Sequence, residues 1–162
     1  MEICLLFLDV DGVLNNSNKS KEFDEQCIKN LKNIVNHTNC KIIISSTYRL
    51  ENSSFNRLWN TLSSFGIDFK TNTLSEYLIT PDLDNVTRAD EIYYLLKKIE
   101  TDNKYVIKSW IVLDDGDILD STSLFIRQLF TSHFIKINHK LGLTEEDYEL
   151  GVCLLNNIVE YK

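Results

Sequence analysis

The chain has 162 residues, 43% of them hydrophobic and 25% charged, with a formal net charge of −7. That length and composition suit one globular α/β-sized domain over 1–162 and argue against wholesale disorder. The acidic balance argues against broad, non-specific binding to a phosphate backbone, which needs a basic surface, but leaves room for a local basic rim or a metal in an acidic cleft. Cys4, Cys27, Cys40 and Cys153 are scattered without a Cys-x-x-Cys pair. Three of them sit among apolar residues and read as small core residues in a reducing compartment, and the set does not read as a zinc or disulfide framework. No basic n-region opens the chain and no apolar run approaches the ~18 residues of a membrane span, so the expectation is a cytoplasmic protein without a membrane partner.

In chain order, Ile3 to Val10 is an apolar run suited to a buried strand, and it breaks off at two carboxylates, Asp9 and Asp11. From Phe23 to His37, Cys27, Leu31 and Ile34 recur at helical spacing. Cys40 to Ser45 is short and β-branched, a second strand. Phe55, Leu58, Trp59, Leu62 and Phe65 mark one face of a helix ended by Gly66, and "IDFK" after it predicts a short strand. Ile92, Leu95, Leu96 and Ile99 form another helical stripe, with Arg88 at its start. Trp110 to Asp115 is an apolar run ending in paired carboxylates, and His133 to Asn138 is a further strand. Thr144-x-x-Asp147 is a capping-box-like start for a last helix carrying Tyr148, Val152, Leu155 and Val159.

Alternating strands and helices imply βαβ units, and near-continuous apolar strands imply an open, mainly parallel Rossmann-like sheet with helices on both faces. Such sheets bind ligands beyond the carboxyl ends of their strands. Three runs turn polar there, at Asp9 and Asp11, at Ser45 and Ser46, and at Asp114 and Asp115. Four carboxylates at neighbouring tips repel one another, and a hard dication with oxygen ligands relieves the repulsion. Mg²⁺ takes a few carboxylates and keeps waters and a substrate phosphate. A serine hydroxyl and a basic side chain suit that phosphate. Blander readings stand beside this one: strand-end turns capped by short acids, N-cap serines, a solvated acidic turn from Asp114 to Asp117, and a surface Arg88. Asp117 and Asp120 read as loop residues or caps. His37, His133 and His139 have no partner at catalytic spacing, and Trp59 and Trp110 read as core.

"FLDVDGVLN", "IIISS" and "WIVLDD" resemble, in order, motifs I, II and IV of the haloacid dehalogenase (HAD) superfamily. "SSTYR", "RADEI", "IVLDDGD" and "FIKINHKLGLTEEDYE" are similar more narrowly to the small HAD domains of Swiss-Army-Knife RNA-repair-like proteins, from Leu5 to about Leu155. Tyr48 stands where those domains commonly have tryptophan, and Ala89 where they commonly have glycine.

The resemblance implies a Mg²⁺-dependent phosphatase working through an aspartyl-phosphate. Asp9 is then the nucleophile and Asp11 the general acid and base. Ser45 holds the transferring phosphoryl group, with Ser46 in its place if the strand ends one residue later. Arg88 is the candidate for the basic residue of motif III, ahead of Lys104 and Lys108, and Arg49 is a candidate contact to substrate phosphate. The metal falls to the Asp9 side chain, the Asp11 carbonyl, Asp115 directly, and Asp114 directly or through water.

The stretches after motif I and between Arg49 and Arg88 are too short for an independent cap domain of ~60 residues or more. An open site favours a bulky phosphorylated partner such as a nucleic-acid end, for which Arg49, Arg57, Lys70 and Arg88 are expected to cluster at the mouth. The alternatives are a nucleotide or small-metabolite phosphatase, lidded by a dimer partner or by a flap from Asn15 to Lys21, and a non-catalytic HAD-like binding module.

Overall fold

The computed structural model describes residues 1–16, 22–120 and 122–156. Most of the flap expected from Asn15 to Lys21, and Val159 of the last helix, lie outside the described residues. The elements run β1 (Glu2–Leu8), α1 (Glu25–Thr38), β2 (Lys41–Ile44), a 3-10 turn (Thr47–Leu50), α2 (Asn52–Ser64), α3 (Phe69–Asn72), α4 (Arg88–Thr101), β3 (Val106–Asp114), α5 (Leu124–Phe130), β4 (Phe134–Lys136) and α6 (Glu145–Asn156). The four strands form one sheet in the order β2-β1-β3-β4, and every neighbouring pair is parallel.

Apolar residues fill both faces of the central strands because both faces are covered. Leu6 and Leu8 of β1, Ile42 and Ile44 of β2, and Ile111 and Leu113 of β3 belong to one core with residues of α1, α2 and α6. Leu5 and Phe7, Ile43, and Trp110 and Val112 belong to the opposite core, with residues of α4 and α5. In the second core the Trp110 ring meets Phe130 edge-on at 4.8 Å and stacks flat on His133 at 4.0 Å. The His133 Nδ1 lies 2.7 Å from the Trp110 carbonyl oxygen. Trp59 and Trp110 are core residues, as their apolar surroundings in the chain predict.

Local signals place the helix ends. The Asp24 side chain accepts from the backbone N–H groups of Gln26 and Cys27, and α1 stops at Asn39, which takes the left-handed conformation. Thr87 and Asp90 form a reciprocal capping box at the start of α4, so Arg88 sits in its first turn. Thr144 and Asp147 do the same before α6.

The "IDFK" segment is not a strand. Asp68 caps a short helix through the Thr71 N–H, and the Phe69 ring packs edge-on against Trp59 at 4.8 Å. A capped turn and an aromatic contact outweigh the weak β signal of four residues. α5 has no counterpart in the sequence reading: with seven residues it is too short to show a helical period. Between Arg49 and Arg88, α2 buries Leu58, Trp59 and Leu62 in the main core, so this stretch covers the sheet and builds no cap.

Candidate active site

The register of the sheet brings the polar tips together. Leu8 pairs with Ile44 on one side and Leu113 on the other. The ladder then runs one step further: the Asp9 N–H donates to the Leu113 carbonyl and the Ser45 N–H to the Leu8 carbonyl, both at 3.0 Å. Asp9, the serine pair and Asp114 therefore leave the sheet at one level. A cavity of about 630 Å³ opens there, lined among others by Asp9, Asp11, Asn15, Ser46, Arg88, Asp114 and Asp115.

Asp9 and Asp114 are buried, Asp115 is half-buried, and one carboxylate oxygen from each lies within 4.8 Å of the others. Arg88 Nη1 reaches Asp9 Oδ1 at 3.1 Å and Asp114 Oδ2 at 2.6 Å. The second Asp114 oxygen accepts from the Gly116 N–H at 2.7 Å. Asp114 is thus held at both oxygens, while Asp115 keeps more exposure. Burial first, and then the Asp114 charge, push the Asp9 carboxyl up to about 7. Arg88 and hydrogen bonds from the Val10 backbone and the Ser46 side chain pull the other way. Burial disfavours the charged Arg88 guanidinium, but Asp114 and Asp9 outweigh it and hold its pKa above the ordinary value.

One arginine among three close carboxylates leaves an excess of negative charge in a poorly solvated place. The donors are all hard oxygens, so the group fits Mg²⁺ and not a thiolate- or imidazole-seeking metal.

Gly12 is required by this packing. Its φ is +78°, and a Cβ built on it would meet Asp115 Oδ2 at 2.2 Å. Asp11 is exposed and lines the same cavity. Its Oδ1 accepts from Asn15 Nδ2 at 2.9 Å, and Asn15 Oδ1 accepts from the Gly12 N–H at 2.9 Å. Asn15 aims Asp11 and was not anticipated, although its i+4 position after the turning Asp-Gly is the signal that finds it. The Tyr48 phenol is held above its usual pKa by burial and then by the Asp11 charge, which places it beside the same carboxylate.

Three expectations are corrected. Ser46, not Ser45, lines the cavity. Ser45 continues β2, with its hydroxyl buried and unpartnered among the described residues, whereas Ser46 opens the 3-10 turn and faces Asp9. Arg49 does not face the cavity. Its side chain is 5% exposed and its Nη2 pairs with Glu91 Oε2 at 2.8 Å, because the 3-10 turn carries it behind the serines. The basic cluster expected at the mouth is not assembled, since of Arg49, Arg57, Lys70 and Arg88 only Arg88 lines the cavity. Arg57 lies over the Phe23 ring at 5.1 Å. His139 and Asp117 do line the wall, and Asp117 pairs with Lys136. Lys104 and Lys108 pair instead with Glu76 and Glu2.

Among the described residues no helix is long and apolar enough to cross a membrane. No curated protein and no solved structure matches the chain. Residues 5–148, which include the strand tips gathered here, match the family described as the HAD domain in Swiss Army Knife RNA repair proteins, and a match over so much of the chain makes the protein a member of that family.

Proposed function

We propose that the protein is a Mg²⁺-dependent phosphomonoester hydrolase that works through an aspartyl-phosphate on Asp9. The observation that carries this reading is the convergence of the Asp9, Asp114 and Asp115 carboxylates with Arg88 in one cavity, with Asp11 on its wall. Asp9, Asp114 and Asp115 would hold the metal. When bound, it supplies positive charge that offsets their repulsion and polarises a phosphate oxygen.

The protein's own groups then have distinct work. An Asp9 oxygen attacks phosphorus, the bond from phosphorus to the leaving oxygen breaks, and Asp11 gives that oxygen its proton. In the second step Asp11 takes a proton from water, the water oxygen bonds to phosphorus, and the bond to Asp9 breaks to release orthophosphate. Arg88 and the Ser46 hydroxyl stabilise the charge that builds on the phosphoryl oxygens. Asn15 keeps the Asp11 carboxylate turned toward the leaving group.

For the substrate, the family supports a polynucleotide end, a phosphate presented by a body too large for a capped site. A second reading, a nucleotide or other small phosphate ester, is favoured by one observation: the cavity wall carries five aspartates against Arg88 and His139, a poor match to a polyanion. The test is phosphate release with Mg²⁺ from 3′-phosphorylated RNA and DNA oligonucleotides and a panel of nucleotides and metabolites. Release from oligonucleotide ends is the expected result. Release only from small esters selects the second reading. No release from any phosphate ester, with Asp9→Asn no different from wild type, sinks both and leaves a binding module.

A further inference from the structure

Arg49 and Glu91 stand behind the cavity and do not line it, yet they connect the two elements that carry Ser46 and Arg88. The Arg49 Nη1 donates to the carbonyls of Ser45 at 2.9 Å and Ser46 at 3.0 Å. Its Nη2 donates to Glu91 Oε2 at 2.8 Å and to the Pro81 carbonyl at 3.4 Å. The other Glu91 oxygen accepts from the Leu83 N–H at 3.1 Å. Both side chains are buried, at 5% and 7% exposure. Glu91 lies three residues after Arg88 in the first turn of α4, so whatever fixes Glu91 fixes the depth and roll at which Arg88 enters the site.

A buried ion pair of this kind is poor value for stability alone. Apolar residues of similar volume often serve as well or better, while loss of one partner leaves a costly bare charge. The planar fork of Arg49 does something an apolar pair does not, because it holds two successive carbonyls at set distances from a carboxylate on another element.

We propose that Arg49 and Glu91 form a positioning clamp that sets Ser46 and Arg88 against Asp9 for phosphoryl transfer. The clamp rests on the phosphohydrolase reading for its kinetic consequence, and on geometry alone for its structural one.

The test uses the full chain and p-nitrophenyl phosphate with Mg²⁺. The double variant Arg49→Met with Glu91→Leu is expected to melt at or above the wild-type temperature, while kcat falls about 10- to 100-fold, the scale of a roughly 1 Å misplacement of reacting groups. Half-saturation by Mg²⁺ is expected to stay near wild type, since the carboxylates that would hold it are untouched. Arg49→Lys keeps the charge but cannot fork across two carbonyls, so it is expected to fold and to retain most of the kcat defect; it decides the matter if the double variant does not fold. A wild-type kcat in the double variant or in Arg49→Lys overturns the clamp. If wild type itself hydrolyses no ester, the phosphohydrolase reading falls, and a crystal structure of whichever of these variants folds judges the clamp. Arg88 still bridging Asp9 and Asp114, with Ser46 in place, overturns it; displacement of either supports it.

Discussion

Arg49 and Arg88 are both withdrawn from water beside carboxylates, and both touch α4, yet their surroundings differ in balance. Arg49 meets a single buried acid, Glu91, and every other close partner is a backbone carbonyl, apart from an exposed Asp82 at 3.9 Å. Its charge is matched where it stands. Arg88 bridges two buried acids with a third at hand, and its own side chain is 25% exposed on the cavity side. The first group is balanced in charge, with only the buried Arg49 Nε left without a hydrogen-bond partner among the described residues. The second carries surplus negative charge that a fold selected only for stability would not keep, which supports the reading of this cluster as the functional site.

The contrast breaks first at Asp9. Asp9→Asn is expected to lower phosphate release by at least about 10³-fold, since the nucleophile acts as a unit with its acid and base; a loss of less than tenfold in a phosphate-release assay would return the surplus charge to a structural role. The next largest effect is expected on the balanced side. Arg49→Met alone leaves Glu91 buried without its partner and is expected to cost about 3–5 kcal/mol in urea unfolding. A cost under 1 kcal/mol would mean that Glu91 finds water or another donor.

Asp9 also predicts a stability effect of opposite sign. Its carboxyl titrates near 7 in the fold against an ordinary 3.8. A raised acid contributes its stability below the unfolded value and loses it as pH rises through the folded one. Without metal, Asp9→Asn is therefore expected to match wild type near pH 4 and to become more stable by on the order of 1–3 kcal/mol by pH 8. A difference that stays flat from pH 4 to 8 would show that Arg88 already neutralises the surplus. The smallest effect is expected from Asn15→Ala, which frees Asp11 from one charge-assisted hydrogen bond. It should lower kcat about tenfold or less and, because it also strips the buried Gly12 N–H of its acceptor, cost about 1 kcal/mol in urea unfolding.

How much of this was legible in the chain follows from what a sequence pattern encodes. Apolar runs that turn polar at Asp9, Ser45 and Asp114 specify strands, and short βαβ connections leave little choice but a parallel sheet, so which tips meet was readable. The direction of a side chain after the strand ends was not. Ser45 or Ser46, and Arg49 facing in or out, hang on whether the chain leaves β2 straight or through a 3-10 turn, and nothing in "SSTYR" states which. Asp90, as the box partner of Thr87, was visible in principle from the Thr-x-x-Asp spacing, the same pattern that marked Thr144 and Asp147. Glu91 was not, because its partner lies far away in the chain and only the fold brings Arg49 to it. The "IDFK" error is of the same kind: the deciding contact is the Phe69 ring on Trp59, a packing event outside the local window.

The absence of a side chain at Gly12 carries one more consequence. The space a Cβ would need is occupied by the Asp115 carboxylate, so the turn after the first strand and the tip of the third form one steric unit. Neither position is free to drift alone: a side chain at 12 must displace the Asp115 carboxylate and so disturb the carboxylate cluster, on top of the strain of a positive φ. Residue 12 is thus constrained twice, by the positive φ of its own turn and by a side chain at the tip of β3, and libraries that randomise the first motif while holding the last are expected to return glycine.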